Sequence, residues 1–248
     1  MKKVITIILA AAMAAMMSFS FGCGARISTV TLNVRLYTAA TTYDTYQIEL
    51  SLYEHLAPDT AVEFKKWAKE GVYDGMAFYL MDTYASQVMV GDLKWEGAEL
   101  KLVQPQTFAE AEFAANGTTG SNLENISGSF GLWREFDRES GYQSDGFKKT
   151  VSTIYMPTTT ISAYNGYFCV LGKYSDDEDS VTAMNAIKDA LNGDEAETYV
   201  RFQFKNDETV RLMTEEEYDA ISSDRVDEDS VVKITVPAFM CYIESVEC

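Results

Sequence analysis

The chain has 248 residues, of which 47% are hydrophobic, with 20 Lys and Arg against 38 Asp and Glu, a formal charge of −18. That length and apolar content suit one domain with a well-buried core, and the negative charge argues against nucleic acid or an anionic membrane surface as partner. Four Cys without a C-x-x-C and a single His, His55, argue against a zinc site.

Met1-Lys2-Lys3 precedes an apolar run from Val4 to Met17. A positive start followed by an apolar core describes a secretory signal. The run ends near Gly22, too early for a mature membrane-spanning helix. Gly22-Cys23-Gly24 resembles a bacterial lipoprotein processing site, although Ser20 stands where Leu is usual and Phe21 where a small residue is usual. Residues 1–23 therefore read as a lipoprotein-type signal peptide with Cys23 as the lipidated residue. The expected location is extracytoplasmic, lipid-anchored to a bacterial cell membrane. The alternative is a secreted protein cut near Ala25. More than one acyl chain on Cys23 would anchor stably. Loss of Lys2 and Lys3 takes the charge from −18 to −20. Cys169, Cys241 and Cys248 leave room for one disulfide, with the pairing open; Cys169, in an apolar run, reads as a core residue.

Residues 24–45 read as a tether and first strand, with the main domain over 46–248. Val30, Leu32, Val34 and Leu36 alternate, as on a strand with one buried face. Thr-rich residues 38–45 read as a turn. Tyr46, Ile48, Leu50 and Leu52 then form a second alternating run, which predicts a hairpin. Pro58-Asp59-Thr60 opens a helix, Thr60-x-x-Glu63 fits a capping box, and Ala61, Phe64, Trp67 and Ala68 make its apolar stripe. Gly71 reads as the helix stop. Residues 77–90 read as strands, and 93–150 as loop-rich. Asp179 to Leu191 reads as a second helix, with Val181, Met184, Ile187 and Leu191 on its buried face. Residues 193–228 read as an insertion. It would hold a hairpin turning at Asn206-Asp207 and a short helix from Thr214 to Ile221, capped through Thr214-x-x-Glu217. Val231 to Val246 reads as the last strand. The carboxylate run at 176–179, without the spacing of a calcium loop, reads as a solvated acidic turn and helix start, and that at 215–217 as an exposed helical turn.

Several short motifs occur in one order: Ala57-Pro58-Asp59-Thr60, Gly71-Val72-Tyr73-Asp74-Gly75, Phe78-Tyr79-Leu80-Met81 and Gly91-Asp92. Further on come Glu112-Phe113, Asn116-Gly117, Leu123 to Arg134, Ser152 to Met156, Tyr164 to Lys173 and Ile243-Glu244-Ser245-Val246. The series resembles the cyclophilin-type peptidyl-prolyl isomerases over residues 46–192 and 231–248. That resemblance implies a mainly β fold: a closed eight-stranded antiparallel barrel capped by two helices, here with an inserted hairpin and short helix.

The resemblance also implies a site. The family Arg of F-H-R-V falls on Leu80, so its catalytic cation is missing. The substrate-binding positions fall on Phe78, Met89, Trp133, Arg134, Tyr155, Tyr164 and Phe168, with Gln87 competing with Met89 for the family Gln. No cofactor or metal is implied. The partners implied are proline-containing peptides or unfolded secreted proteins. Twisting an X-Pro bond faces a barrier near ~18–20 kcal/mol, and losing one preorganised donor lowers rate by about 10²–10³. Two functional readings follow from the resemblance. One is a weak, exported prolyl isomerase assisting protein folding. The other is an inactive cyclophilin-like peptide- or protein-binding module on the cell envelope. A structural envelope protein without a groove is a third.

Overall fold

The computed structural model describes residues 26–82, 86–108, 123–134, 150–165 and 167–248. The expected signal peptide over residues 1–23 with Cys23, and Glu112-Phe113, Asn116-Gly117 and Gly166, lie outside the described residues.

β1 (Ile27–Ala39) and β2 (Thr42–Tyr53) pair as a hairpin with Val34 opposite Tyr46 and Leu32 opposite Ile48. Their alternating residues Val30, Leu32, Val34, Ile48, Leu50 and Leu52 are buried. The ladder runs further than the apolar alternation predicts. Tyr37 faces Tyr43 across it, their rings 5.2 Å apart, and the Arg35 guanidinium lies 4.3 Å from the Tyr43 ring centroid. These contacts carry Thr-rich sequence into the strands and leave a turn only at residues 40–41.

Helix α1 (Pro58–Lys69) begins with Pro58 in its first turn and buries Ala61, Phe64, Trp67 and Ala68. Its N-cap is Ala57, which offers no side-chain bond, so the expected Thr60–Glu63 capping box does not form. Thr60 lies within the helix and is buried instead.

The barrel follows from eight strands. β3 (Met76–Met81) pairs with β4 (Gln87–Glu96), and β4 with β8 (Thr150–Pro157). β8 pairs with β7 (Ser129–Arg134), and β7 with β9 (Cys169–Tyr174). β9 joins β2, β1 joins β13 (Cys241–Glu247), and β13 returns to β3 through Tyr242 and Ala77. Every one of these pairs is antiparallel, so the sheet closes as the sequence reading expected. α1 and α2 (Glu178–Leu191) pack on the same core as the barrel interior, which holds Leu32, Leu50, Phe78, Leu80, Val90, Phe130, Ile154 and Ile243. In α2 the buried residues are Ser180, Ala183, Met184, Ile187 and Leu191. Val181 is exposed, contrary to expectation, because Ser180 takes the inner position and its hydroxyl accepts from the Glu49 N–H at 3.0 Å.

The strands outside the barrel build a second layer. β10 (Glu197–Phe204) and β11 (Asp207–Thr214) form the inserted hairpin, followed by α3 (Glu215–Asp219) with its Thr214–Glu217 capping box. The expected last strand is two strands. β12 (Val232–Val236) ends before Pro237, which lacks the N–H to continue a ladder, and β13 starts at Cys241. β12 pairs β10 on one side and β3 on the other, placing the insertion beside the outer face of β3. β5 (Glu99–Leu102) extends β4 on the other flank, and β6 (Thr107–Phe108) pairs β8. The insertion also has its own small core of Val200, Phe202 and Val226.

Candidate functional site

β3 is buried along its whole length, and its alternation sorts its side chains between two cores. Met76, Phe78 and Leu80 enter the barrel interior. Ala77, Tyr79 and Met81 enter a second cluster on the outer face. That cluster also holds Met89 and Leu93 of β4, Tyr155 of β8, Tyr164, Phe168, and Ile234 and Val236 of β12. Its centre is aromatic. The Tyr164 and Phe168 rings are 4.5 Å apart, and Trp133 lies 4.9 Å from Phe168 and 5.9 Å from Tyr155. Tyr155, Tyr164 and Phe168 are buried, while Trp133 is half-buried.

The backbone beneath is shaped by glycine. At Gly131 a Cβ would stand 2.5 Å from the Cys169 carbonyl oxygen and 2.8 Å from the Tyr155 ring, so only Gly lets β7 pass there. Gly91 has φ of 135°, and a Cβ on it would meet the Thr153 Cα at 2.7 Å.

Several polar groups around the rings are paired. The Tyr155 hydroxyl donates to Asn125 Oδ1 at 2.5 Å. Asn125 donates through its backbone N–H and its Nδ2 to Asn165 Oδ1, at 2.8 and 3.0 Å. Burial pushes the Tyr155 phenol well above its ordinary pKa, with Cys169 and Tyr164 adding to it. The Tyr79 hydroxyl donates to Asp92, and Asp92 is ion-paired with Arg201 of β10 at 3.0 Å. Burial again raises the Tyr79 phenol, followed by the Asp92 charge, against the pull of Arg201. Arg134 is buried and donates from Nη1 to the Tyr167 carbonyl oxygen at 2.5 Å, its guanidinium 5.9 Å from the Phe168 ring centroid.

The structure thus brings together five of the expected positions: Met89, Trp133, Tyr155, Tyr164 and Phe168. Arg134 joins them at the edge through Tyr167 and Phe168. Phe78 and Leu80 do not join them, because both point into the barrel interior. The aromatic β3 residue on that face is Tyr79, directly opposite Met89, which itself faces Tyr155. Gln87 is fully buried with neither amide atom hydrogen-bonded. Tyr79, Asp92, Asn125, Asn165 and Arg201 escaped the sequence reading as site residues. A strand buried on both faces has no period-two signal to say which side chain turns outward.

A surface cleft of about 670 Å³ is formed by β1, β2, β13 and α2, lined among others by Asn33, Gln47, Asp179, Glu244 and Glu247. Tyr46 is the one aromatic residue in its lining. Among the described residues no three His, Cys, Asp or Glu side chains are grouped to hold a metal ion.

No protein-family model and no curated protein matches the chain. Among solved structures it is similar to a cyclophilin-type peptidyl-prolyl cis-trans isomerase of Cryptosporidium parvum, at 10% identity and a TM-score of 0.47. That alignment covers 89% of this chain and 96% of the other. A likeness of this size transfers no residue role.

Proposed function

We propose that the protein is a cyclophilin-like binding module, lipid-anchored outside the cytoplasm. It holds proline-containing peptides or unfolded exported chains on its aromatic face without turning over their prolyl bonds. The observation that carries this reading is the pairing of the polar groups on that face: Tyr79 with Asp92, Asp92 with Arg201, Arg134 with Tyr167, and Tyr155 with Asn125. Isomerisation gains rate from a donor aimed at the twisted imide, so that the twisted form is bound better than either planar form. Leu80 supplies no donor and faces the barrel interior. The half-buried Trp133 beside Tyr164 and Phe168 offers what a proline ring and a peptide backbone stack against. The ordered motif series and the closed barrel support the cyclophilin-like part. The apolar leader with its Gly22-Cys23 junction supports the anchored location.

A protease-coupled assay on the full chain in detergent, with several residues before Pro, tests the reading. Rates at background, together with a saturable change in tryptophan fluorescence that Trp133→Ala abolishes, are expected. A rate rising in proportion to protein would restore the isomerase reading.

A further inference from the structure

β11 ends the sheet: among the described residues β10 is its only ladder partner. Its outer edge therefore presents a row of backbone N–H and C=O groups along eight residues, Asp207–Thr214. Proteins usually blunt so long an edge with Pro, Lys or a covering segment. β11 has neither Pro nor Lys. Its one cation, Arg211, is ion-paired to Asp207 on the same strand at 2.8 Å. Apart from β10, β5 comes within 8 Å of β11 between Cα atoms yet shares no ladder with it. β5 has four residues, too few to cover an eight-residue edge. Val210 stands 45% exposed in the middle of the open stretch.

The electrostatics around this edge are one-sided. Residues 193–230 carry thirteen Asp and Glu against four Lys and Arg, half of the chain's net charge of −18. A second copy of this chain would bring the same charge to the same edge and be repelled. An extended cationic segment would be attracted, and it would meet the backbone groups that have no ladder partner.

We infer that the free edge of β11 is a docking surface for an extended, positively charged polypeptide segment, taken up as an added β-strand. The backbone ladder supplies affinity and the surrounding carboxylates supply selection and steering. The surface lies on the insertion and does not depend on the aromatic face binding anything.

The test uses the full chain in detergent and an acetylated octapeptide of alternating Lys and Val. The expected result is binding that weakens at least tenfold between 50 and 500 mM salt. It should slow hydrogen exchange at the amides of Asp207 to Thr214. The same peptide N-methylated at every second residue keeps its charge but cannot complete a ladder, and should bind at least tenfold more weakly. Equal binding of the two peptides would overturn the proposal, as would slowed exchange confined to residues 155–168. Protection of β11 that rises with protein concentration and no peptide would also overturn it, by making a second copy the occupant. A chain that fails the prolyl-peptide binding test yet passes this one rejects only the reading of the aromatic face.

Discussion

Position 80 decides how the aromatic face is understood. In the sequence, Phe78-Tyr79-Leu80-Met81 is apolar throughout, and motif order assigns Leu80 to the place of the missing cation. The strand pleat reverses the assignment: Leu80 belongs with Phe78 in the barrel interior, and Tyr79 turns outward. Leu80→Arg is therefore expected to leave prolyl turnover at background and to lower stability by about 3–5 kcal/mol, the cost of an unpaired buried charge. The urea midpoint of the variant measures this; a folded variant with gained turnover would contradict the placement. Gln87 carries a second residue-scale expectation. Its buried amide has no hydrogen-bond partner at either atom. Gln87→Met keeps the volume and removes the desolvated group, so it should stabilise the fold by roughly 1 kcal/mol or more. A loss of stability in thermal or urea unfolding would show that the amide is satisfied after all.

The elements were legible where one face is buried and the other is wet. The β1–β2 hairpin, α1, α2, the β10–β11 hairpin and the capped α3 all carry clear periodicity or cap signals. What was hidden has physical causes. Aromatic and cation–π contacts at Arg35, Tyr37 and Tyr43 extended a hairpin through polar sequence. Pro237 divided what reads as one terminal run into β12 and β13. The acidic run around 176–179 is the helix start that it reads as, and the structure adds the cap: Asp177 accepts from the Ser180 N–H at 2.9 Å. Hydrogen bonds from Ser175 and Ser180 hold its carboxyl down at about 2, below the ordinary 3.8. A carboxyl with a depressed folded pKa gives stability that is complete above its unfolded value and is lost as pH falls toward the folded one. Asp177→Ala is thus expected to be less stable than the parent at pH 7, with the gap closing as pH falls from about 4 to about 2. Urea titrations across that range check it, and a gap independent of pH would show that the carboxylate is not the cap.

At the scale of the whole molecule, closure of the barrel was readable only through the order of its motifs. Pairings such as Val34 with Ile243 and Tyr242 with Ala77 join distant parts of the chain, and periodicity says nothing of them. The elements of the insertion were readable, but their placement against the outer face was not. It arises because β12 pairs both β3 and β10, and because Arg201 of the insertion reaches Asp92 beside Tyr79. The same layer carries half of the chain's net charge and the edge of β11 that has no ladder partner among the described residues. The molecule therefore carries two separate surfaces, an aromatic one on the barrel and an acidic strand edge on the insertion. The first is the one proposed to bind without catalysing. Magnetisation-exchange NMR on a prolyl peptide reports both properties in one sample. With the full chain added, peptide resonances should shift saturably while cis–trans exchange keeps its uncatalysed timescale of tens to hundreds of seconds. Exchange cross-peaks that grow in proportion to protein concentration would contradict it.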